Sequence, residues 1–264
     1  MHSSSILAID IGNTHIVIGL FRNSSLQQSW RVATDQAKTA DEYAIIVRAL
    51  LATQPVLPSE ISGCAISSVV PPLTAVFAHM VQTTFHCDPV IVTRQCPFGL
   101  TIRYQHPEEI GTDRLVNAAA AYARFRCALI IVDFGTATTF CTVTDKGEYL
   151  GGAIAPGLKS SADSLHLRTA KLPVVDLVRP KSVIGQDTIS SIQSGVIYGY
   201  AGLVDELVSR IQQEIEQRTK VIATGGLATV IAPLSRTIDE YCPHLTLEGL
   251  ELIYRRIFAH EQSE

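Results

Sequence analysis

Residues 6–21, ILAIDIGNTHIVIGLF, and residues 129–143, LIIVDFGTATTFCTV, share one pattern. Each begins with an apolar, β-rich run, which is followed by an aspartate, one apolar residue and a glycine. A few small polar residues then lead into a second β-rich run. Apolar runs on both sides of a glycine-bearing turn are typical of a β-hairpin with a tight, polar connection. The two aspartates, Asp10 and Asp133, lie 123 positions apart, close to half of the 264-residue chain. This spacing predicts two related halves rather than a solenoid, whose repeats recur every ~20–50 residues.

The rest of the chain alternates strand and helix patterns, which favours an α/β architecture. Strands are expected near residues 15–22, 26–33, 62–69, 89–93, 128–133, 137–144, 148–155 and 220–224. Helices are expected over Ala40–Thr53, Pro71–Phe85, Asp113–Phe125, Ser190–Arg218 and Leu247–Phe258, with a short helix after Gly225-Gly226. We therefore predict an N-terminal α/β domain over residues 1–115 and a C-terminal one over residues 116–264.

The composition excludes two classes of protein. Hydrophobic residues make up 47% of the chain, charged residues 17%, and 21 basic against 25 acidic side chains give a net charge of −4. A disordered chain needs low hydrophobicity and high net charge, and a nucleic-acid binder of the usual kind needs a dense basic surface. We expect a folded protein without a nucleic-acid partner. The low charged fraction also indicates that part of the surface is covered in a subunit contact.

The cysteines and the apolar segments predict a cytoplasmic protein. Six cysteines are scattered without a C-x-x-C pair, which is typical of buried reduced thiols rather than of a zinc site or a disulfide framework. No basic residue precedes the first apolar run, so that run is not read as a signal peptide. Residues 61–87 carry no formal charge, but Pro71-Pro72, Gln82 and two histidines make them a poor membrane span.

The two Asp-x-Gly turns are candidate phosphate-binding loops. P-loop, G-x-G-x-x-G, H-E-x-x-H and G-x-S-x-G motifs are missing from the sequence, so a nucleotide would be held by other means. A glycine lets a turn approach an anion closely with its backbone N–H groups, and the hydroxyls of Thr14, Thr136 and Thr138 add donors. An aspartate at the strand end supplies the oxygen ligand that Mg²⁺ prefers. One such turn is weak support for a site, but two in matching halves predict phosphate binding.

At these loops the chain resembles the acetate and sugar kinase/Hsc70/actin superfamily of actin-like ATPases. Gly225-Gly226, within ATGGLA, resembles the adenosine-contacting turn of that superfamily. Within it, the whole chain resembles the type III pantothenate kinase family. The matching motifs are DIGNT at 10–14, GTDR at 111–114, DFGTATT at 133–139, GGAIAPG at 151–157 and TISSIQSG at 188–195. The resemblance implies two facing, duplicated ribonuclease H-like domains.

The resemblance also implies an activity and a set of site residues. The activity is ATP-dependent phosphorylation of pantothenate to 4′-phosphopantothenate, the first step of coenzyme A biosynthesis, with Asp113 as general base and Asp133 as ligand of a monovalent cation, potassium or ammonium. Magnesium would accompany ATP, with Asp10 contacting it through water, and the chain would form a homodimer. The ATP and phosphate contacts would be Asp10, Ile11, Gly12, Asn13, Thr14, His15, Ile16, Val17 and Thr136. The pantothenate contacts would be Tyr104, Gly111, Thr112, Asp113, Arg114 and Thr188.

The residues themselves leave some alternatives open. A carboxylate within reach of the pantothenate hydroxyl can accept its proton, but Asp113 could also simply cap the following helix. Arg114 could pair with the substrate carboxylate or with the transferred phosphoryl group. Lys159 is interpreted as a solvated residue, and His15 as either a phosphate contact or a strand residue. Three glycines of the long helix mark close approach of another backbone, within the chain or across a subunit contact: Gly195, Gly199 and Gly202.

Two other functions remain as alternatives to pantothenate phosphorylation. One is a kinase or phosphatase of the same superfamily that acts on a sugar, acetate or polyphosphate. The other is a nucleotide-gated regulatory protein, which would require a partner domain or a replaced base. The GTDR motif and the short chain favour the pantothenate kinase over both.

Overall fold

A computed structural model of the chain describes residues 5–169 and 171–261. In these residues the chain forms eleven strands and seven α-helices. The strands are β1 (Ser5–Ile11), β2 (His15–Arg22), β3 (Ser25–Ala33), β4 (Ile61–Ser68), β5 (Val90–Ile91), β6 (Thr101–Ile102), β7 (Leu129–Phe134), β8 (Ala137–Val143), β9 (Glu148–Pro156), β10 (Lys220–Thr224) and β11 (Glu240–Tyr241). The helices are α1 (Ala40–Leu51), α2 (Pro71–Phe85), α3 (Thr112–Phe125), α4 (Leu158–Leu167), α5 (Thr188–Ile215), α6 (Ala228–Ile231) and α7 (Leu245–Glu261).

The chain packs as two compact units. The first contains the chain up to Gly99, Glu108–Ala120 and the segment from Leu245 onward; the second contains Leu100–Pro107 and Ala121–His244. The C-terminal segment, which we expected in the domain of residues 116–264, therefore packs with the first unit instead. The expected boundary between residues 115 and 116 falls inside α3, and the first unit continues to Ala120.

The two units contain sheets of the same topology. The first sheet has the strand order β3-β2-β1-β4-β5, in which β1 pairs antiparallel with β2 and parallel with β4. The second sheet has the order β9-β8-β7-β10-β11, with β6 added at the β9 edge, and β7 pairs antiparallel with β8 and parallel with β10. The internal repeat seen in the sequence is therefore a repeat of a whole sheet.

The first unit has helices on both faces of its sheet. Alternate residues of β1, namely Leu7, Ile9 and Ile11, are buried in a core that also takes in apolar residues of α1 and α2. Helix α7 packs on β1, β4 and β2. Its Tyr254 fills the space above Gly63 of β4, where an added Cβ would overlap the ring, so the sheet needs a glycine there.

The second unit is built around α5. Ile130, Val132 and Phe134 of β7 form a core with residues of α4, α5 and α6. Helix α5 starts two residues earlier than predicted because Asp187 caps it by accepting a hydrogen bond from Ser190 N, 2.8 Å away. It ends three residues early because Glu216 adopts the left-handed conformation, with φ of 51°.

Most predicted elements are present, and the two-residue strands β6 and β11 are additional to those predicted. The strand expected at residues 89–93 is reduced to the two residues of β5. Helix α4 was not predicted, because its serine-rich sequence, LKSSADSLHL, resembles a loop and only Leu158 and Ala162 are buried. None of the helices among the described residues has the length and apolar character that crossing a bilayer requires.

Candidate functional site

The first Asp-x-Gly turn connects β1 to β2 and is open to solvent. The Gly12 N–H donates to His15 O over 3.0 Å, which closes a turn of three residues, Gly12–Thr14. Asn13, Thr14 and His15 are all exposed. A Cβ on Gly12 would lie 3.0 Å from His15 O, so a larger residue would need a small shift of this backbone oxygen. The loop therefore presents polar groups and a glycine backbone to solvent, as an anion site requires.

Thr34, which follows β3, holds this loop in place. Its hydroxyl donates to Gly12 O at 2.7 Å, and its N–H donates to Thr14 O at 3.0 Å. Both carbonyl oxygens would repel a phosphate if they turned toward it, and both are bound to donors of the protein. Thr34 is a supporting residue that the sequence analysis missed, since it lies outside the repeated pattern.

The other predicted members of the first loop are divided between the core and the surface. Ile11 and Ile16 are fully buried, so a nucleotide could meet only their backbone. Asp10 and Val17 are opposite one another in the β1–β2 ladder, and both are partly exposed. Asp10 points away from the core because its neighbours Ile9 and Ile11 point into it. Its carboxylate is thus accessible at the end of the strand.

The GTDR stretch forms the first turn of α3, in the same unit as the first loop. The carbonyl of Gly111 accepts hydrogen bonds from Arg114 N and Leu115 N, at 3.2 and 3.4 Å. Asp113 is the second residue of the helix, where an acidic side chain suits the helix dipole, and it is partly exposed. A Cβ on Gly111 would overlap Asp113 Oδ1, so the glycine is what leaves room for the carboxylate. Thr112 is also partly exposed, whereas Arg114 is only 7% exposed.

The second Asp-x-Gly turn connects β7 to β8 and is one residue shorter than the first. The Gly135 N–H donates to Ala137 O over 3.1 Å, and Gly135 and Thr136 are exposed. Thr136 O accepts hydrogen bonds from Gly157 N at 3.2 Å and from the Ser160 hydroxyl at 3.1 Å. Helix α4 and the residue before it thus support the second loop, a contact that the sequence analysis missed together with the helix.

Asp133, the proposed cation ligand, lies against the turn that follows β10. Gly225 has φ of +90°, and a Cβ there would lie 2.6 Å from Asp133 Oδ1 and 2.7 Å from Phe134 N. Only glycine satisfies both the backbone angle and the space. Asp133 itself is partly exposed. The predicted second loop and the predicted glycine turn are therefore neighbours in the second unit.

The remaining predicted contacts also lie in the second unit. The Tyr104 ring packs over Gly151, where a Cβ would lie 2.7 Å from the ring, and it is partly exposed. Thr188 is exposed as the first residue of α5. Lys159 is exposed on α4, in agreement with a solvated role. The predicted site residues are thus divided: the first loop and the GTDR turn are in the first unit, and Thr136, Asp133, Tyr104 and Thr188 are in the second.

The donor groups present fit a magnesium–nucleotide complex. Each loop offers a glycine turn, an exposed threonine and a partly exposed strand-end aspartate. Mg²⁺ in such sites is bound through one or two carboxylates together with the substrate phosphates. Among residues 5–169 and 171–261 there is no group of three or more His, Cys, Asp and Glu side chains placed to hold a metal.

Comparison with solved structures gives the class of protein. A ROK family glucokinase from Streptomyces griseus, in complex with glucose and AMPPNP, matches with a TM-score of 0.53 and 12% identity over 96% of this chain and 100% of that chain. The inorganic polyphosphate/ATP-glucomannokinase from Arthrobacter sp. strain KM matches with a TM-score of 0.51 and 15% identity over 96% and 99%. Together with the repeated strand order, these likenesses define an actin-like ATPase fold of two ribonuclease H-like domains, as predicted. They concern the fold alone.

Comparison of sequences gives the family. The sequence model of type III pantothenate kinases matches residues 6–210. The type III pantothenate kinase of Anaeromyxobacter sp. (strain Fw109-5) is 49% identical over 251 residues, which are 95% of this chain and 99% of that protein. The one from Geobacter sulfurreducens is also 49% identical, over 95% and 98%. The chain belongs to the type III pantothenate kinase family, and the predicted resemblance is confirmed.

Proposed function

We propose that this protein transfers the γ-phosphoryl group of ATP to the primary hydroxyl of pantothenate, with Asp113 as general base. The product would be 4′-phosphopantothenate, the first intermediate on the route to coenzyme A. Membership of the family makes the protein a phosphotransferase, and a kinase of this kind uses ATP with a divalent metal. The single observation that carries the role of Asp113 is its accessible carboxylate in the first turn of α3, above a glycine that leaves it room.

Two features of the GTDR turn support a catalytic carboxylate over a simple helix cap. Asp113 is inside the helix, two residues beyond the capping position at Gly111, and the Gly111 carbonyl already begins the helix. A carboxylate so placed is available to accept the proton of the attacking hydroxyl as the new P–O bond forms.

The other residues would bind and orient the two substrates. The first loop, Asp10–Val17, would meet the phosphates through backbone N–H groups other than that of Gly12 and through the Thr14 hydroxyl, and Thr136 would meet them from the second loop. Asp10 would face magnesium through a water molecule; the metal, when bound, neutralises charge on the phosphates. Arg114 would pair with the pantothenate carboxylate, and the contacts of Tyr104, Gly111, Thr112 and Thr188 would complete its binding.

Asp133 would hold a monovalent cation, potassium or ammonium, at the second loop. Its carboxylate is partly exposed at the end of β7, and Gly225 packs directly against Oδ1. A carboxylate oxygen at the end of a strand is a hard ligand of the kind that such cations take. Turnover in potassium, ammonium and sodium buffers tests this role, and equal rates in all three would remove it.

We further propose a homodimer formed through one face of α5. An apolar groove of about 500 Å³ runs along this helix and is lined by Ile192, Gly195, Gly199 and Leu203. A Cβ on Gly195 or Gly199 would meet no heavy atom within 4 Å, so packing within the described chain does not require these glycines. A second copy would use their open surface. Gly199→Arg should convert a dimer to a monomer in light-scattering measurements.

A cytoplasmic location is part of the same proposal. All six cysteines are free thiols, and Cys64, Cys141 and Cys242 are buried. Burial raises the pKa of the Cys64 thiol well above its usual range, which keeps it protonated and unreactive. Reduced, buried thiols are the usual state of cysteine in the cytoplasm.

The test of the proposed function is ADP release by the purified protein with ATP and Mg²⁺, with and without pantothenate. We expect turnover that depends on pantothenate and is not supported by glucose, acetate or polyphosphate. Asp113→Asn should reduce kcat by ~10²–10⁴-fold, the range for loss of a general base. Asp41→Asn is the matched control, since Asp41 is also the second residue of a helix, α1, and should retain full activity.

Two results would contradict the proposal. Turnover that ignores pantothenate but responds to a sugar would assign the protein to another activity of the same fold. Full activity of Asp113→Asn would remove Asp113 from the chemistry and leave it as a helix residue. Circular dichroism of both variants shows whether either change has disturbed the fold.

A further inference from the structure

The hydroxyl of Ser67, in β4, is buried without a hydrogen-bond partner among the residues that the structure describes. Ser67 is 0% exposed, and its Oγ has essentially no accessible surface, so no water-sized space adjoins it. Buried polar atoms in folded proteins nearly always find a partner, because an unpaired one destabilises the fold. A serine at this position therefore costs stability in the free protein, which calls for a functional explanation.

Ser67 lies directly beside Asp10. The parallel pairing of β1 with β4 puts Asp10 opposite Ser67, and it puts Ile9 opposite Ile66 in the core. Because side chains alternate between the faces of a sheet, Asp10 and Ser67 share the face opposite that core. Neighbouring strands are ~4.8 Å apart, so a rotation of the Asp10 side chain brings its carboxylate within reach of the Ser67 hydroxyl.

The second unit repeats this arrangement. Asp133 of β7 is opposite Thr224 of β10 in a parallel pair, as Asp10 is opposite Ser67. Thr224 is also buried, with 2% of its surface exposed. Each strand-end aspartate thus has a buried hydroxyl residue at the same place in the neighbouring strand. Because the same pairing occurs in both units, we relate the hydroxyl to the strand-end aspartate rather than to the packing of one unit.

We infer that Ser67 is a positioning residue for Asp10, to which its hydroxyl donates a hydrogen bond when a magnesium–nucleotide complex occupies the first loop. This inference rests on the proposed function, in which Asp10 faces the metal through water. A hydrogen bond from the neighbouring strand fixes the orientation of the carboxylate, as supporting hydrogen bonds commonly do for groups that serve a metal. Since the hydroxyl is unpaired in the free protein, the bond adds to metal–nucleotide binding and adds nothing to folding.

The test compares Ser67→Ala with the wild-type protein by calorimetric titration with ADP, once with Mg²⁺ and once with EDTA. We expect the Kd for ADP with Mg²⁺ to rise about tenfold, the effect of a hydrogen bond to a charged group. The Kd for metal-free ADP should not change, and the thermal midpoint of the free variant should be equal to or higher than that of the wild type. Ser62→Ala is the control, because Ser62 is in the same strand and its hydroxyl already donates to Ser5 O at 3.3 Å.

A second comparison tests whether Ser67 acts through Asp10. In an Asp10→Asn background, Ser67→Ala should weaken Mg²⁺–ADP binding no further, since the carboxylate that it positions is gone. An additional loss of the same size in that background would overturn the inference.

Three more outcomes are decisive. An unchanged Mg²⁺–ADP affinity in Ser67→Ala would overturn the positioning role while leaving the proposed function intact. A lower thermal midpoint with equal weakening of metal-free ADP would reveal a purely structural role and also overturn it. A wild-type protein that does not bind Mg²⁺–ADP at all would overturn the proposed function and this inference together.

Discussion

The two Asp-x-Gly hairpins have the same strand framework, but the protein supports their loops differently. The first loop, Gly12–Thr14, has three exposed or partly exposed residues, and Thr34 donates to two of its carbonyls, through its hydroxyl to Gly12 O and through its N–H to Thr14 O. The second loop, Gly135-Thr136, is shorter, and two groups donate to a single carbonyl, the Gly157 N–H and the Ser160 hydroxyl. Each loop thus accepts two such hydrogen bonds, which are spread over two carbonyls in the first loop and converge on one carbonyl in the second.

This difference in hydrogen bonding indicates that the two loops contribute differently to ligand binding. A loop whose backbone is supported by neighbouring backbone is preorganised, so it loses little entropy when a ligand binds. In the same unit Gly225 packs close to Asp133, since an added Cβ would lie 2.6 Å from Asp133 Oδ1. In the first loop one residue, Thr34, donates both of the corresponding hydrogen bonds, so a change at this residue bears on two carbonyls. Substitutions in the supports of each loop test this contrast.

The largest loss of unfolding free energy is expected for Gly225→Ala, which places a methyl group against Asp133. The added Cβ would lie 2.6 Å from Asp133 Oδ1, and φ of +90° is unfavourable for alanine. Backbone strain and overpacking together should reduce the free energy of unfolding by about 3 kcal/mol. Urea denaturation measures this loss. In Gly202→Ala the new Cβ meets nothing within 4 Å, and that control should be neutral or stabilised by up to ~1 kcal/mol. A loss below ~1 kcal/mol for Gly225→Ala would show that the second loop tolerates movement.

A smaller effect is expected from Asp205, which anchors the segment after α6 in the same unit. Burial by itself raises the pKa of the Asp205 carboxyl, but hydrogen bonds from Ser235, Arg236 and Thr237 outweigh it and hold the pKa below its ordinary value of 3.8. A lowered pKa in the folded state stabilises the protein above the unfolded pKa, and this stability is lost as pH falls through the folded pKa.

Asp205→Asn tests this linkage. At neutral pH the variant should lose about 2 kcal/mol of unfolding free energy, since its hydrogen bonds become neutral. Its stability should fall less steeply than that of the wild type as pH drops below about 4. Denaturation curves collected from pH 7 to pH 3 check both expectations. Identical acid dependence in the two proteins would show that other carboxylates govern unfolding in acid.

The hairpins could be predicted from the sequence because their signals are local. An apolar run, an aspartate and a glycine are adjacent along the chain, and β2 was predicted at its observed bounds of His15–Arg22. The start of α3 was predicted within one residue, and Asp113 with it, because the GTDR motif is also continuous. Family resemblance then supplied roles that spacing alone does not.

The supports of the loops could not be predicted, because each depends on a contact between distant parts of the chain. Thr34 is 22 positions from Gly12, and Ser160 is 24 positions from Thr136. Helix α7 covers the sheet of the first unit although it ends the chain, since no local pattern states which apolar face a helix will meet. The position of Ser67 beside Asp10 likewise follows only from the register of β1 and β4.

A third prediction concerns Thr34, the support of the first loop. Thr34→Val keeps the size and the backbone N–H of the residue but removes the hydroxyl that donates to Gly12 O at 2.7 Å. We expect a loss of about 1 kcal/mol in unfolding free energy and a several-fold higher KM for ATP with little change in KM for pantothenate. Thr53→Val, which removes the hydrogen bond to Leu50 O in an exposed turn, is the control for loss of a hydroxyl outside the loops. Equal changes in both KM values would indicate general loosening of the unit.

The smallest loss of unfolding free energy is expected for Ser160→Ala at the second loop. This variant gives the most direct comparison between the two loops. The change removes one of two donors to Thr136 O, so the carbonyl keeps its bond to Gly157 N and is not left unpaired. An acceptor that retains a partner loses little, and we expect less than ~0.5 kcal/mol of unfolding free energy and an unchanged KM for ATP. Thr34→Val and Ser160→Ala each delete one hydroxyl bonded to a loop carbonyl, so the same denaturation and kinetic measurements compare the loops directly. If Ser160→Ala proved as costly as Thr34→Val, the second donor would be a requirement of the loop, and the contrast between a carbonyl with two donors and a carbonyl with one would fail.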